Sequence, residues 1–210
     1  MSTNTTTANA GTTPLTSTHP SLTPYTTATP AQYLSTNPHL TNLVVAALIL
    51  HKPHNTTTTN NNRVLLIQRA PRDGFGLKWE CPGGRVDTTD ASLLHALCRE
   101  VREETGLVVR RVERVVEVGE FDGGGGERWR KVTFLVGVEG LRLEGGLEGD
   151  GFPVVRLSEE EHVGAVWAAE GEVRAGRVGE REIQFAYDAQ RETTLEVFRQ
   201  GRERDEMDLE

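Results

Sequence analysis

Three glutamates stand close together in the sequence, Glu100, Glu103 and Glu104. Their i, i+3, i+4 spacing would bring the three carboxylates onto one face of a helix. Like charges at this spacing destabilise a helix by roughly a few tenths of a kcal/mol per pair. A divalent cation that prefers oxygen ligands, such as Mg²⁺, would reverse that penalty. The spacing therefore favours a metal site, and the alternative is a solvated helix face balanced by Arg99 and Arg102.

A glycine pair in front of these glutamates bears on that choice. Gly83 and Gly84 follow a short strand predicted at residues 77–81. Because glycine has no Cβ, the backbone can turn tightly there and approach another group closely. A strand, a glycine turn and a carboxylate-lined helix together predict a pocket that can hold a metal ion and a phosphate group.

The segment GGRVDTTDASLLHALCREVREETGL, residues 83–107, resembles the Nudix box, G-x5-E-x7-R-E-U-x-E-E-x-G-U, in which U is a large aliphatic residue. Its second half matches every fixed position, in order Arg99, Glu100, Val101, Glu103, Glu104, Gly106 and Leu107. The flanking runs QRAPRD and WECPGG also resemble the family. There are two departures: Asp90 replaces the first glutamate of the box, and eight residues rather than seven separate it from Arg99.

The resemblance implies an α+β domain with the Nudix fold, in which a mixed β-sheet is sandwiched between helices. It also implies a pyrophosphohydrolase that cleaves a phosphoanhydride bond in a nucleoside diphosphate linked to another group, or in a related small diphosphate. By analogy, Glu100, Glu103, Glu104 and the carbonyl of Gly84 would bind Mg²⁺ or Mn²⁺. Arg99 would orient the glutamates through charge-assisted hydrogen bonds.

A glutamate outside the box is a further candidate catalytic residue. Glu161 is followed by His162 and, after four more residues, by Trp167. This pattern resembles the one around a glutamate outside the box in a number of Nudix enzymes. In those enzymes that glutamate joins the metal site or acts as general base. A general base is needed because the water that attacks phosphorus must lose a proton. A solvated acidic turn is the alternative interpretation.

Substrate contacts are assigned to aromatic and basic residues near the box. The candidates for stacking on a base are Trp79, Phe75 and Phe121, although aromatic residues of a small sheet protein more often lie in the core. Arg69 is a candidate for contact with phosphate, with a solvated loop as the alternative.

The composition divides the chain into three parts. Residues 1–40 are rich in Thr, Ser, Pro and Asn and carry no charged side chain, which predicts a disordered arm. Residues 41–200 form the predicted domain, and residues 201–210 a flexible acidic tail. Within the domain the patterns predict strands at 43–50, 63–68, 107–121, 129–138 and 163–167, loops at 51–62 and 139–152, and helices at 91–104 and 188–199. Thr89 or Asp90 is the expected cap of the first helix.

The net charge of −8, from 31 acidic and 23 basic side chains, gives no general attraction for nucleic acid. We therefore expect a small nucleotide-like diphosphate as the partner, bound by a monomer or homodimer, and no stable nucleic-acid binding. The same charge argues against an RNA-decapping enzyme. The apolar run at 43–50 is too short to span a membrane, and a cytoplasmic protein is expected. A Nudix-derived binding or regulatory module without turnover is the alternative, and the altered box loop keeps it open.

Overall fold

The computed structural model describes residues 16–17, 19–51, 62–139 and 152–207, and within these ranges the chain forms strands and α-helices. The strands are β1 (Thr16–Ser17), β2 (Asn42–His51), β3 (Arg63–Arg69), β4 (Trp79–Glu80), β5 (Val108–Gly124), β6 (Glu127–Glu139), β7 (His162–Ala169), β8 (Arg177–Val178) and β9 (Arg181–Glu182). The helices are α1 (Thr23–Thr27), α2 (Pro30–Ser35), α3 (Leu93–Thr105), α4 (Glu170–Ala175) and α5 (Asp188–Met207). Most of the two predicted loops, at 51–62 and 139–152, lies outside the described residues.

A mixed sheet runs through the domain in the order β1-β5-β6-β2-β3-β4, and β7 also pairs with β3. β2 is parallel to β6 over eight residue pairs and antiparallel to β3 only at its end, where Leu50 faces Val64. β1 is parallel to β5, and the other pairs of this sheet are antiparallel. β8 and β9 form a separate short hairpin. The strand predicted at 43–50 therefore lies in the interior of the sheet.

Two apolar cores lie on opposite faces of this sheet, because successive side chains of a strand point in opposite directions. Val45 and Ile49 of β2 join one core with Leu97 of α3. Leu48 joins the other core with Phe198 of α5. Helices thus cover both faces of a mixed sheet, which confirms the predicted α+β fold.

The helix that carries the box glutamates begins two residues later than predicted, at Leu93 rather than at residue 91. The Ser92 side chain accepts a hydrogen bond from the backbone N–H of His95 (3.1 Å), so Ser92 is the N-cap of α3. The helix ends at Gly106, whose φ of 69° lies in the left-handed region. The predicted cap at Thr89 or Asp90 was wrong because the Asp90 carboxylate is bound to other groups.

Residues 20–40 pack on the domain, contrary to the disordered arm predicted for residues 1–40. α2 starts with a capping box, in which Gln32 N–H donates to Thr29 Oγ1 (3.3 Å) and Thr29 N–H donates to Gln32 Oε1 (2.9 Å). Leu22 and Tyr33 are buried in the core that contains α3. The prediction was therefore wrong for residues 20–40, because a few well-placed apolar side chains anchor an otherwise polar segment. Residues 1–15 lie outside the described residues.

The C-terminal segment also differs from the prediction. α5 continues to Met207, so most of the tail predicted at 201–210 extends the helix predicted at 188–199. Arg202 forms an ion pair with Glu170 of α4, which fixes the start of this extension.

Within the described ranges, none of the helices combines the length and hydropathy needed to cross a bilayer.

Candidate active site

The glycine pair allows the box loop to lie directly against β2. Val45 N–H donates to the carbonyl oxygen of Gly84 (3.0 Å). Gly83 has a φ of +150°, and a Cβ built there would lie 2.1 Å from the Val45 carbonyl oxygen. A Cβ on Gly84 would lie 2.7 Å from a carboxylate oxygen of Glu100. Close approach to the sheet backbone therefore requires glycine at position 83, whereas a side chain at position 84 would displace the Glu100 carboxylate.

The three box glutamates differ strongly in their exposure to solvent. Glu104 is 5% exposed, and one of its oxygens accepts a hydrogen bond from Gly83 N–H (2.7 Å). Burial raises the pKa of the Glu104 carboxyl well above its ordinary value, although the Gly83 hydrogen bond acts to lower it. Burial also raises the pKa of Glu100, against the opposing effect of Arg99. Glu103 is exposed.

Arg99 connects the glutamates to the preceding loop. Its Nη1 donates to Glu100 (2.9 Å) and Glu103 (3.0 Å), while Nε and Nη2 donate to the two oxygens of Asp90 (3.1 and 2.9 Å). Burial acts to raise the pKa of Asp90, but hydrogen bonds from Arg99, the Asp87 N–H and His95 outweigh it and lower that pKa. Asp90 thus positions Arg99. Asp90 has a shorter side chain than the glutamate of the box, and the loop before Arg99 is one residue longer. Together these two differences still place a carboxylate against the guanidinium of Arg99.

A second loop brings further polar groups to the buried glutamate. Carboxylate oxygens of Glu104 and Glu161 and a ring nitrogen of His162 lie within 4.8 Å of one another. His162 is buried, and its Nε2 lies 3.6 Å from Glu104 Oε1 and 3.8 Å from Glu80 Oε1. Among the described residues His162 Nδ1 has no hydrogen-bond partner. Sequence reasoning missed Glu80, for which the only signal was its place beside Trp79 in the WECPGG run.

Both residues predicted to bind substrate make contacts within the protein itself. Trp79 is only 2% exposed, and its Nε1–H donates to the Glu182 carbonyl oxygen (3.0 Å). Its ring faces are buried in the core, so the prediction that Trp79 stacks on a base was wrong. Arg69 Nη1 donates to the buried Glu80 (2.5 Å), and Nη2 pairs with Asp73. Two carboxylates therefore already bind the Arg69 guanidinium, which was predicted to contact phosphate.

These features agree with the family that the sequence matches. Residues 54–189 match the model of the family described as the NUDIX domain. The chain therefore belongs to the NUDIX family. This membership confirms the family predicted from the sequence.

One curated relative is the 8-oxo-dGDP phosphatase NUDT18 of Danio rerio, which is 34% identical over 87 residues. The match covers 41% of this chain and 25% of the relative, so the chain spans about a quarter of that protein.

Solved structures share the fold at lower identity. A MutT NUDIX hydrolase from Burkholderia pseudomallei is 23% identical, with a TM-score of 0.51, and the match covers 74% of this chain and 97% of that chain. The NUDIX domain of Shewanella oneidensis NrtR, complexed with ADP ribose, is 20% identical, with a TM-score of 0.52 and coverage of 84% and 99%.

Proposed function

We propose that the protein is a divalent-metal-dependent hydrolase that cleaves a phosphoanhydride bond in a nucleoside diphosphate linked to another group, or in a related small diphosphate. One observation carries the proposal: the carboxylates of Glu100, Glu104 and Glu161 converge beside the glycine loop. Arg99 and Asp90 form a preassembled support for that cluster. Such a group of acids suits a reaction in which an anionic substrate is held through a cation.

The residues present fit Mg²⁺ or Mn²⁺. Both ions prefer carboxylate and carbonyl oxygens, and burial of Glu104 beside other carboxylates disfavours its charge when no cation is near. The proposed ligands are Glu100, Glu103 and Glu104, with the Gly84 carbonyl contributing the lone pair that Val45 N–H does not use. When bound, such an ion neutralises diphosphate charge and makes water more acidic.

The protein side chains would position the reacting groups. Arg99 holds Glu100 and Glu103 in fixed orientations through its Nη1 donors. The buried ring of His162 lies beside Glu104, so it limits the movement of that carboxylate. Glu161 is exposed and close to Glu104, and we assign it as the general base that takes the proton of the attacking water.

A substrate screen tests this function directly. The panel contains nucleoside diphosphate sugars, dinucleoside polyphosphates, NADH, coenzyme A, modified nucleoside triphosphates and, because of the curated relative, 8-oxo-dGDP. Release of phosphate or nucleotide is followed with Mg²⁺ or Mn²⁺ and with EDTA. We expect turnover of at least one compound that EDTA abolishes. No release from any compound with either metal would contradict the proposal and support the alternative, a binding module without turnover.

The Glu161→Gln substitution tests the general base. We expect kcat to fall by ~10²–10⁴-fold with little change in KM, because the amide keeps the size of the side chain but cannot accept the proton. Steady-state kinetics on the compound found by the screen provide the measurement. Glu160→Gln is the matched control, since Glu160 is an exposed acid in the same loop. An unchanged kcat in Glu161→Gln would remove Glu161 from the mechanism.

A further inference from the structure

A shift of register at the end of β3 determines which residue of β7 lies beside Arg69. Gln68 pairs with Gly164 and Arg69 pairs with His162, so Val163 between them has no partner on β3. Residues that lie opposite each other on paired strands point to the same face of the sheet. The bulge therefore turns the buried His162, rather than the exposed Val163, to the face on which the Arg69 side chain lies.

The same face carries a buried carboxylate on the next strand. Glu80 of β4 pairs with Ile67, which precedes Arg69 by two residues and therefore points to the same side of β3. Ile67 belongs to the core that contains α3, so this face is turned towards the helix of the box glutamates. Arg69 Nη1 donates to Glu80 Oε1 (2.5 Å) on this face. A buried ion pair thus lies under the glutamate cluster.

The His162 ring lies between two buried carboxylates. Its Nε2 is 3.6 Å from Glu104 Oε1 and 3.8 Å from Glu80 Oε1. Both distances exceed the ~2.7–3.2 Å of an N–H···O hydrogen bond, so the ring is bound to neither carboxylate and is close to both. Ionised carboxylates only accept hydrogen bonds, which places the proton of the neutral ring on Nε2. One N–H therefore has two competing acceptors.

Arg69 determines the outcome of this competition. Among the described residues, the ion pairs of Glu80 are those with Arg69 and with His162. An ionised carboxylate that is buried without a partner is costly, so Glu80 requires one of these two groups. Because the guanidinium already binds Glu80, the ring is left to Glu104. Without the guanidinium, the ring would be drawn to Glu80 and away from Glu104.

We propose that Arg69 is a positioning residue of the active site: by holding Glu80, it leaves the His162 ring to fix the Glu104 carboxylate. This inference rests on the proposed function, in which Glu104 is a metal ligand. Groups that orient a metal ligand commonly change metal affinity or activity by about 10–100-fold when they are removed. The role differs from the phosphate contact predicted from the sequence, since Arg69 acts here without touching the substrate.

Three variants test this role through a double-mutant cycle. Arg69→Met should lower kcat on the compound found by the screen by roughly 10–100-fold, because the unpaired Glu80 then draws His162 from Glu104. Glu80→Met removes the competing acceptor and should lower kcat less than Arg69→Met. The double variant should recover most of the kcat that Arg69→Met loses, since replacement of both partners of a buried ion pair by apolar side chains is usually tolerated. A double variant as slow as Arg69→Met would overturn the proposal.

Asp73→Asn is the matched control for the other side of the same guanidinium. Asp73 pairs with Arg69 Nη2 and accepts a hydrogen bond from Gly74 N–H (2.5 Å), so it belongs to the surface loop after β3. This variant should keep the kcat of the parent. A loss equal to that of Arg69→Met would assign the effect to the loop and overturn the role of Glu80. Arg69→Gln, which is also uncharged, replaces Arg69→Met if the latter does not fold.

Nitrogen-15 NMR of the histidine rings tests the same step without substrate. The chain has six histidines, and His162→Asn identifies the signals of His162. In EDTA these signals should move in Arg69→Met, return towards their parent positions in the double variant and stay in place in Asp73→Asn. Unchanged His162 signals in Arg69→Met would overturn the proposal.

Failure of the positioning role and failure of the proposed function give different results. If the His162 signals follow the expected pattern but no compound in the screen is hydrolysed, the positioning of Glu104 stands and the hydrolase proposal fails. If a compound is hydrolysed and Arg69→Met keeps the full kcat, the hydrolase proposal stands and the role of Arg69 is overturned.

Discussion

Glu104→Gln is expected to reduce kcat by on the order of 10² or more while the fold remains intact. The substitution removes a proposed charged ligand but keeps the volume of the side chain. The oxygen of the introduced amide can still accept the hydrogen bond from Gly83 N–H. Kinetics with Mg²⁺ on the compound found by the screen give the loss. Glu192→Gln on α5 is the control, because Glu192 is exposed and outside the site.

Thermal melts of the same variant separate a metal role from a structural role. Burial raises the pKa of Glu104, so its ionised form opposes folding above the ordinary carboxyl pKa. At neutral pH in EDTA the melting temperature of Glu104→Gln should therefore equal or exceed that of the parent. The increase in melting temperature that Mg²⁺ gives the parent should be smaller in the variant. Full metal-dependent turnover in both Glu103→Gln and Glu104→Gln would show that the metal assignment is wrong.

Leu22→Ala should lower the free energy of unfolding by about 2–5 kcal/mol, and removal of residues 1–40 should lower it more. Leu22 is fully buried in the core that α3 shares, so its truncation leaves a cavity. Urea unfolding followed by circular dichroism measures both changes. Thr23→Ala is the control at an exposed neighbouring position, with an expected change within about ±0.5 kcal/mol. A truncated protein with the unfolding midpoint of the parent would show that this segment adds nothing to stability.

The parts of the fold that sequence predicted well depend on patterns among neighbouring residues. The glutamates of α3 recur at helical spacing, and the strand at 43–50 is an unbroken apolar run of strand length. The N-terminal segment shows the limit of that reasoning, since its low charge concealed the Thr29 and Gln32 capping box. A capping signal can therefore identify a folded segment where composition alone predicts disorder.

The candidate site was only partly accessible from sequence for a related reason. The box glutamates share one helix, but Glu161 joins them only through the packing of β7 beside β3. Burial of Trp79 depends on the backbone of residues 182–186, which contacts it although it lies about a hundred residues further along the chain. None of these relations is encoded in residue spacing.

The attachment of the box loop to β2 determines which parts of the site can move. Ala47 N–H donates to the carbonyl of Pro82 (2.7 Å), and Val86 N–H donates to the carbonyl of Leu43 (3.0 Å), on either side of the Val45–Gly84 bond. The loop therefore behaves as an additional strand alongside β2, and opening it would break a ladder next to a fully buried core. The side of the site formed by the box loop is thus held to the sheet, whereas Glu161 is exposed in the turn before β7, and any movement that accompanies substrate entry is expected on that side.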